Sequence, residues 1–88
     1  MRVRFELTTR LAELAGFRDE ALDVTGDTVD DALRALEQRL HGSVLVDEGR
    51  LHPSVLVVVD GEVFRRGDGS TPLRGGETVH LMLPVAGG

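Results

Sequence analysis

The residues whose types and spacing suggest chemistry lie at the end of the chain, where Gly87 and Gly88 follow a short apolar stretch. Glycine has no side chain, so the backbone of a Gly-Gly segment can enter a narrow tunnel and approach reactive groups closely. Val85 and Ala86, just before it, are small. We therefore predict that the functional group of this chain is the α-carboxylate of Gly88, carried on a slender arm.

Other chemistry is hard to place in this sequence. The chain has no cysteine, which excludes disulfides, thiolate metal sites and thioesters or persulfides on its own side chains. Its three histidines, His41, His52 and His80, do not have metal-ligand spacing, and no serine lies in a nucleophile motif. We therefore expect a protein that is not an enzyme and holds neither a metal nor a cofactor.

Charge and hydropathy limit the classes of partner. The net charge of −5 argues against a protein held on nucleic acid by phosphate contacts. The longest apolar run, residues 55–59, is far shorter than the roughly 20 residues that cross a bilayer. The first eight residues alternate polar and apolar, as in a strand and unlike a signal peptide. We expect a cytoplasmic protein with neither a nucleic-acid nor a membrane partner.

The hydrophobic pattern predicts the order β, short helix, β, long helix, β, β, β. Alternation predicts strands over residues 2–8, 20–25 and 78–84, and Asp60-Gly61 between apolar runs predicts a hairpin. The short helix is expected to begin at an N-cap Thr9 and to stop at Gly16, and Asp27 or Thr28 is expected to cap the long helix. One apolar stripe of helical spacing defines the long helix: Val29, Ala32, Leu33, Leu36 and Leu40. Residues 43–54 lack a clean period and are expected to form a loop with at most a short strand or turn.

This order predicts an α+β domain of the β-grasp type, with one main helix packed across a mixed sheet of four to five strands. A right-handed crossover would place the first and last strands side by side and parallel in the middle of the sheet. A ferredoxin-like fold needs a second long helix, which residues 43–54 do not resemble. We expect residues 1–84 to form the domain and residues 85–88 to form a flexible tail.

The sequence resembles the small sulfur-carrier proteins of the MoaD and ThiS type, a ubiquitin-like β-grasp family. The resemblance covers the whole chain and is strongest over "PLRGGETVHLMLPVAGG", which is similar to the family's Leu-x-Asp-Gly-Asp-x-Val…Pro-Pro-Val-x-Gly-Gly close. Two departures stand out: residues 75–77 are Gly-Gly-Glu, and Leu83 replaces the first of the two prolines. The length is more similar to the molybdopterin-synthase small-subunit branch and related carriers than to the shorter thiazole branch.

The resemblance implies a mechanism in which the chain is a protein cosubstrate. An E1-like adenylyltransferase, which consumes ATP, would activate the carboxylate of Gly88. A sulfur donor, either a sulfurtransferase or a persulfide, would convert it to a thiocarboxylate, and an acceptor synthase large subunit would receive the sulfur. Gly87 would give steric access, and Pro84, Val85 and Ala86 would set the direction of the tail. Met82 takes the place where the family carries an exposed aromatic, so Met82, Val63 and His80 are the expected partner-docking residues.

Two other functions stay open from the sequence alone. A ubiquitin-like modifier would use the same activated Gly88 to join target lysines, and a plain binding module would carry an incidental Gly-Gly. The pathway that receives the sulfur is also open among molybdenum cofactor, cysteine, thiolated tRNA and a specialised metabolite.

Overall fold

A computed structural model describes residues 1–65 and 67–83 of the chain. The elements in chain order are β1 (Arg2–Leu7), α1 (Thr9–Ala15), β2 (Asp19–Asp23), α2 (Val29–Arg39), β3 (Val46–Asp47), β4 (Arg50–Leu51), β5 (Leu56–Val59), β6 (Glu62–Phe64) and β7 (Thr78–Met82).

Five strands form one mixed sheet in the order β2-β1-β7-β5-β6. The first and last strands, β1 and β7, are parallel neighbours at its centre, and the other three pairings are antiparallel. A parallel pair requires a crossover, which α2 supplies. The β-grasp prediction is thus confirmed, including the central position of β7.

Local chemistry explains where α2 begins and where β5 turns back. Thr28 caps α2, and Asp31 reciprocates by accepting a hydrogen bond from the N–H of Thr28, so that two otherwise unpaired donors are satisfied. Asp60 and Gly61 have φ angles of 46° and 87°. Positive φ at both central residues is the requirement of the two-residue turn that matches strand twist, and Asp-Gly meets it.

The core lies between the inner face of the sheet and α2. Alternate residues of β1 and β7 point inward and are almost fully buried, as are the residues of the α2 stripe except Leu33, which is half-buried. Those with at most 1% exposure on these three elements are Val3, Phe5, Val29, Ala32, Leu36, Val79 and Leu81. The outward residues of β1 and β7 are exposed or half-buried, so α2 covers only one side of the two central strands.

Three local expectations from the sequence are corrected. The N-cap of α1 is Thr8 rather than Thr9. The N–H of Thr8 donates a hydrogen bond to the carbonyl oxygen of Leu81 (3.1 Å), which holds Thr8 in an extended conformation, so the helix begins at Thr9. Residues 43–54 contain a separate two-stranded hairpin, β3 with β4, whose four residues are too few to show a period. The strand β7 ends at Met82, two residues earlier than the pattern indicated, and Pro84 lies outside the described residues.

Candidate functional site

The described chain brings the root of the predicted arm to the end of the central strand β7. Leu81 pairs with Leu7 on one side and with Val57 on the other, and its side chain is fully buried. Leu83 is half-buried and packs against the core. The predicted arm residues, Pro84, Val85, Ala86, Gly87 and Gly88, lie outside the described residues. The structure describes the paired and buried base from which they continue.

The opposite end of β7 is fixed by backbone hydrogen bonds to carboxylates. The Glu77 carboxylate accepts from the N–H groups of Arg74 (2.6 Å) and Gly75 (2.7 Å), and Asp60 Oδ1 accepts from the N–H of Thr78 (2.9 Å). Partial burial raises the pKa of Glu77, but these N–H groups and the charge of Arg74 outweigh it, so the net shift is downward. Glu77 therefore holds the turn in which this chain departs from the Asp-Gly-Asp pattern.

The outer face of β5, β6 and β7 carries an apolar surface, which we call the outer apolar surface: Leu56, Val58, Val63 and Met82. The strand register places Leu56 opposite Met82 and Val58 opposite both His80 and Val63. Val63 is 58% exposed and Met82 is half-buried. Sequence reasoning named Met82 and Val63 but missed Leu56 and Val58. Alternation within residues 55–59 contained a signal for them, but an unbroken apolar run does not say which face points outward.

His80 borders the outer apolar surface without extending it. Its Nε2 lies 2.6 Å from Glu6 Oε2 on β1, and both side chains are about 40% exposed. Beyond this pair, Arg2 contacts Asp23 (2.8 Å) and Arg4 contacts Asp19 (2.6 Å). The outer face is therefore divided into an apolar half on β5–β7 and a charged half on β1 and β2. An apolar half beside a charged rim is typical of a protein–protein interface.

The polar side chains of the described residues are all at least partly exposed. Among residues 1–65 and 67–83, no polar or charged residue is buried, and no three His, Asp or Glu side chains could hold a metal ion. Within the same ranges, both helices are too short and too polar to cross a membrane.

Comparisons with known proteins agree with this geometry. Residues 5–88 match the family model described as "ThiS family". The crystal structure of small archaeal modifier protein 1 from Haloferax volcanii is 35% identical, with all of both chains covered and a TM-score of 0.74. CysO in the Amycolatopsis orientalis BexX/CysO complex is 29% identical over 98% of this chain and 99% of that one, with a TM-score of 0.66.

A likeness in fold alone extends to a putative molybdopterin converting factor, subunit 1, from Pyrococcus furiosus. It is 23% identical over 97% of this chain and 99% of that chain, with a TM-score of 0.72. No curated protein sequence gives a significant match. The match over nearly the whole chain and the 35% identical relative show that this chain belongs to the ThiS family, as a ubiquitin-like β-grasp protein of the ThiS and MoaD sulfur-carrier type.

Proposed function

We propose that this protein carries sulfur as a thiocarboxylate on Gly88. The observation that carries the proposal is its membership of the ThiS family, through a match that includes residues 87 and 88. The central position of β7 supports it, because a segment that follows a buried strand begins from a fixed place and direction. In this proposal the domain acts as a protein cosubstrate of its partner enzymes.

The proposed reaction begins with activation of a poor electrophile. A carboxylate oxygen of Gly88 attacks the α-phosphorus of ATP on an E1-like adenylyltransferase, and pyrophosphate leaves. The product is an acyl adenylate, whose leaving group is AMP. Sulfide-level sulfur then attacks the carbonyl carbon and AMP departs. Where the donor is a persulfide on a sulfurtransferase, the first product is an acyl disulfide, which a second thiol reduces to the thiocarboxylate.

The protein contributes positioning to both transfers. Gly87 and Gly88 keep the reacting carbon accessible, and Pro84, Val85 and Ala86 direct the segment toward the partner's active site. The outer apolar surface docks the activating enzyme, and later the large subunit of an acceptor synthase such as a molybdopterin-synthase-like complex. Holding the carbon at the reacting centre makes the transfer effectively intramolecular, which is the main source of rate available to a carrier.

Intact-protein mass spectrometry tests this function. The protein is incubated with an E1-like enzyme of the family, ATP and sodium sulfide, and should gain the mass of one sulfur minus one oxygen. A variant with alanine appended after Gly88 is the matched control, and it should fold but gain no mass. Fragmentation should place the change on Gly88. Absence of a mass gain, under conditions where a related carrier reacts, would disprove the proposal.

A second function has its own support, because the 35% identical relative is named a modifier. As a modifier, the activated Gly88 would form an isopeptide bond with a lysine of another protein. The chain itself contains no lysine, so it offers no side-chain amine for self-conjugation. Tryptic Gly-Gly remnants on target lysines cannot report this chain, because its last arginine is Arg74. Affinity capture of a tagged chain followed by detection of larger covalent adducts would reveal conjugation.

A further inference from the structure

A groove lies on the helix side of the sheet and reaches the sheet edge at β6, where Leu56 and Val63 of the outer apolar surface also line it. Its walls are α2 on one side and the segments β4–β6 on the other, and its volume is about 1120 Å³. The proposed sulfur-carrier function uses the outer face and the carboxyl-terminal segment, so the wall that α2 contributes to this groove has no part in it.

The floor of the groove is apolar. Val57 points inward from β5 and is 6% exposed, while Leu33 on α2 and Phe64 on β6 are half-buried and pack against the edge of the core. The β3–β4 hairpin contributes Val46. Half-buried aliphatic and aromatic side chains at the bottom of a groove can bury an apolar anchor of a partner.

The rim of the groove has an excess of positive charge, although the chain as a whole is acidic. Arg34 and Arg50 have side chains 71% and 80% exposed, and Arg65 is exposed without an ion pair to any described carboxylate. The contacts that Arg34 and Arg50 make with carboxylates are long, at 3.4 and 3.9 Å.

Two carboxylates also line the groove, and one of them is bonded to the backbone and largely buried. Glu37 is only 13% exposed and accepts a hydrogen bond from the N–H of Leu51 (2.8 Å). Asp30, in the first turn of α2, is exposed and lies close to Gly69. The exposed charges of the rim are therefore three arginines and one aspartate, an excess of positive charge that is complementary to an acidic ligand.

The edge of the sheet beside the groove indicates that the ligand is a polypeptide. Residues that flank a two-residue hairpin loop form a hydrogen-bonded pair, so Val59 with Glu62 and Val57 with Phe64 exchange bonds. The N–H and C=O of Val63, which also lines the groove, therefore point away from β5. A peptide backbone can pair with these groups, whereas a fatty-acyl chain cannot.

We propose that this groove binds an acidic segment of a partner protein. The segment lies along β6 and pairs with the backbone of Val63. Its apolar side chain enters between Leu33 and Phe64, and its flanking carboxylates contact Arg34, Arg50 and Arg65.

The test uses the full chain and a defined probe. The probe is the blocked peptide Glu-Glu-Leu-Phe-Val-Glu-Glu, and the same peptide with glutamine in place of every glutamate is its control. Titration into ¹⁵N-labelled protein should shift amide resonances of α2 and β6 more than those of β1 and β2. The glutamine peptide should bind at least about tenfold more weakly if the rim charges contribute as complementary interfacial charges do.

Three variants separate the parts of the proposal. Arg34→Glu should weaken binding of the acidic peptide by about tenfold, as expected for reversal of one interfacial charge. Arg10→Glu, an exposed arginine on α1, is its matched control and should bind as the wild type does. Val63→Pro removes the N–H at an edge strand, where proline is tolerated, and should also weaken binding.

Several outcomes would overturn the proposal. They are shifts confined to the outer face, equal binding of the glutamine peptide, and equal binding by Arg34→Glu and Arg10→Glu. Dodecanoate that shifts the groove resonances while the peptide does not would assign the groove to a lipid. Sedimentation of a dimer whose formation Arg34→Glu abolishes would assign it to a second copy. None of these readouts uses Gly88. The groove proposal can therefore be disproved while the sulfur-carrier proposal stands, and the sulfur-carrier proposal can be disproved while the groove proposal stands.

Discussion

Asp31 shows how one side chain determines where α2 begins. Its carboxylate accepts hydrogen bonds from the N–H groups of Asp27 (3.0 Å) and Thr28 (3.1 Å) and from the hydroxyl of Thr28 (2.8 Å). Gly26 has a φ of 108°, and a side chain there would collide with this carboxylate. The start of α2 therefore depends on a glycine, a cap residue and an acid acting together.

Because of these hydrogen bonds, we expect the stability of the fold to depend on pH through Asp31. The hydroxyl and the backbone N–H of Thr28 lower the pKa of Asp31, because they stabilise the charged form in the folded state. A lowered pKa contributes stability above the ordinary aspartate pKa of about 3.9. That contribution is lost as the pH falls below this value and through the folded-state pKa.

Urea unfolding of wild type and Asp31→Asn checks this dependence. Wild type should exceed the variant in free energy of unfolding at about pH 6, and the difference should shrink as the pH is lowered toward about 2, because the Asp31 carboxylate is progressively protonated. Asp47→Asn, an exposed residue in the β3–β4 hairpin, is the control and should show a smaller change of this kind. A difference between wild type and Asp31→Asn that is equal at both pH values would refute the role assigned to the carboxylate.

At the scale of elements, three neighbouring strands together create the outer apolar surface. β5, β6 and β7 each contribute one or two side chains, and no two adjacent residues of the chain belong to the set. The Asp60-Gly61 turn sets the register of β5 with β6, and thereby puts Val63 beside Val58. A slip by one residue would turn the exposed face of β6 to the other side.

Met82 gives the prediction for this scale. Met82→Asp places a charge within the outer apolar surface and should weaken binding to the E1-like enzyme by about tenfold or more, as expected for a buried interface contact. The fold should persist, because Met82 is only half-buried. Val44→Asp is the matched control, since Val44 is 71% exposed and lies in the loop before β3. Calorimetric titration measures the affinities, and an unchanged affinity for Met82→Asp would reject Met82 as a contact.

At the scale of the whole molecule, one small core must hold β7 in place. Leu81 is fully buried at the centre of the sheet, and its carbonyl oxygen also receives the N–H of Thr8. For a chain of this size the total stability is expected to be roughly 4–13 kcal/mol, at about 0.05–0.15 kcal/mol per residue. Loss of a single large core side chain is therefore a substantial part of the total.

Leu81→Ala should lower the free energy of unfolding by about 2–5 kcal/mol, through lost burial and the cavity that remains. Leu14→Ala, on the exposed side of α1 at 42% exposure, is the matched control and should cost about 1 kcal/mol or less. Urea denaturation followed by circular dichroism measures both. Equal costs for the two substitutions would mean that Leu81 is not the centre of the core.

Much of the candidate site could be predicted from particular residues. The alternation of Val79, His80, Leu81 and Met82 already separated inward from outward side chains on β7. Leu56 and Val58, which lie near Met82 on the outer face, could not be assigned to that face from the sequence. They belong to an apolar run that alternates between two faces, and no polar residue marks which face is outward. The contact of His80 with Glu6 could not be predicted from the sequence either. Glu6 is 74 positions earlier in the chain and meets His80 only through the parallel pairing of β1 with β7.

The sequence by itself determined the order of the helices and of the five strands of the main sheet, the main helix with its capping residues, the Asp-Gly hairpin and the Gly-Gly ending, because each depends on residues close together in the chain. Only the tertiary structure decided which side chains meet across strands and where the groove beside α2 lies. Those contacts depend on strand register and on the distance between α2 and β6. Register and packing depend on residues far apart in the chain, and no local pattern of residues records them.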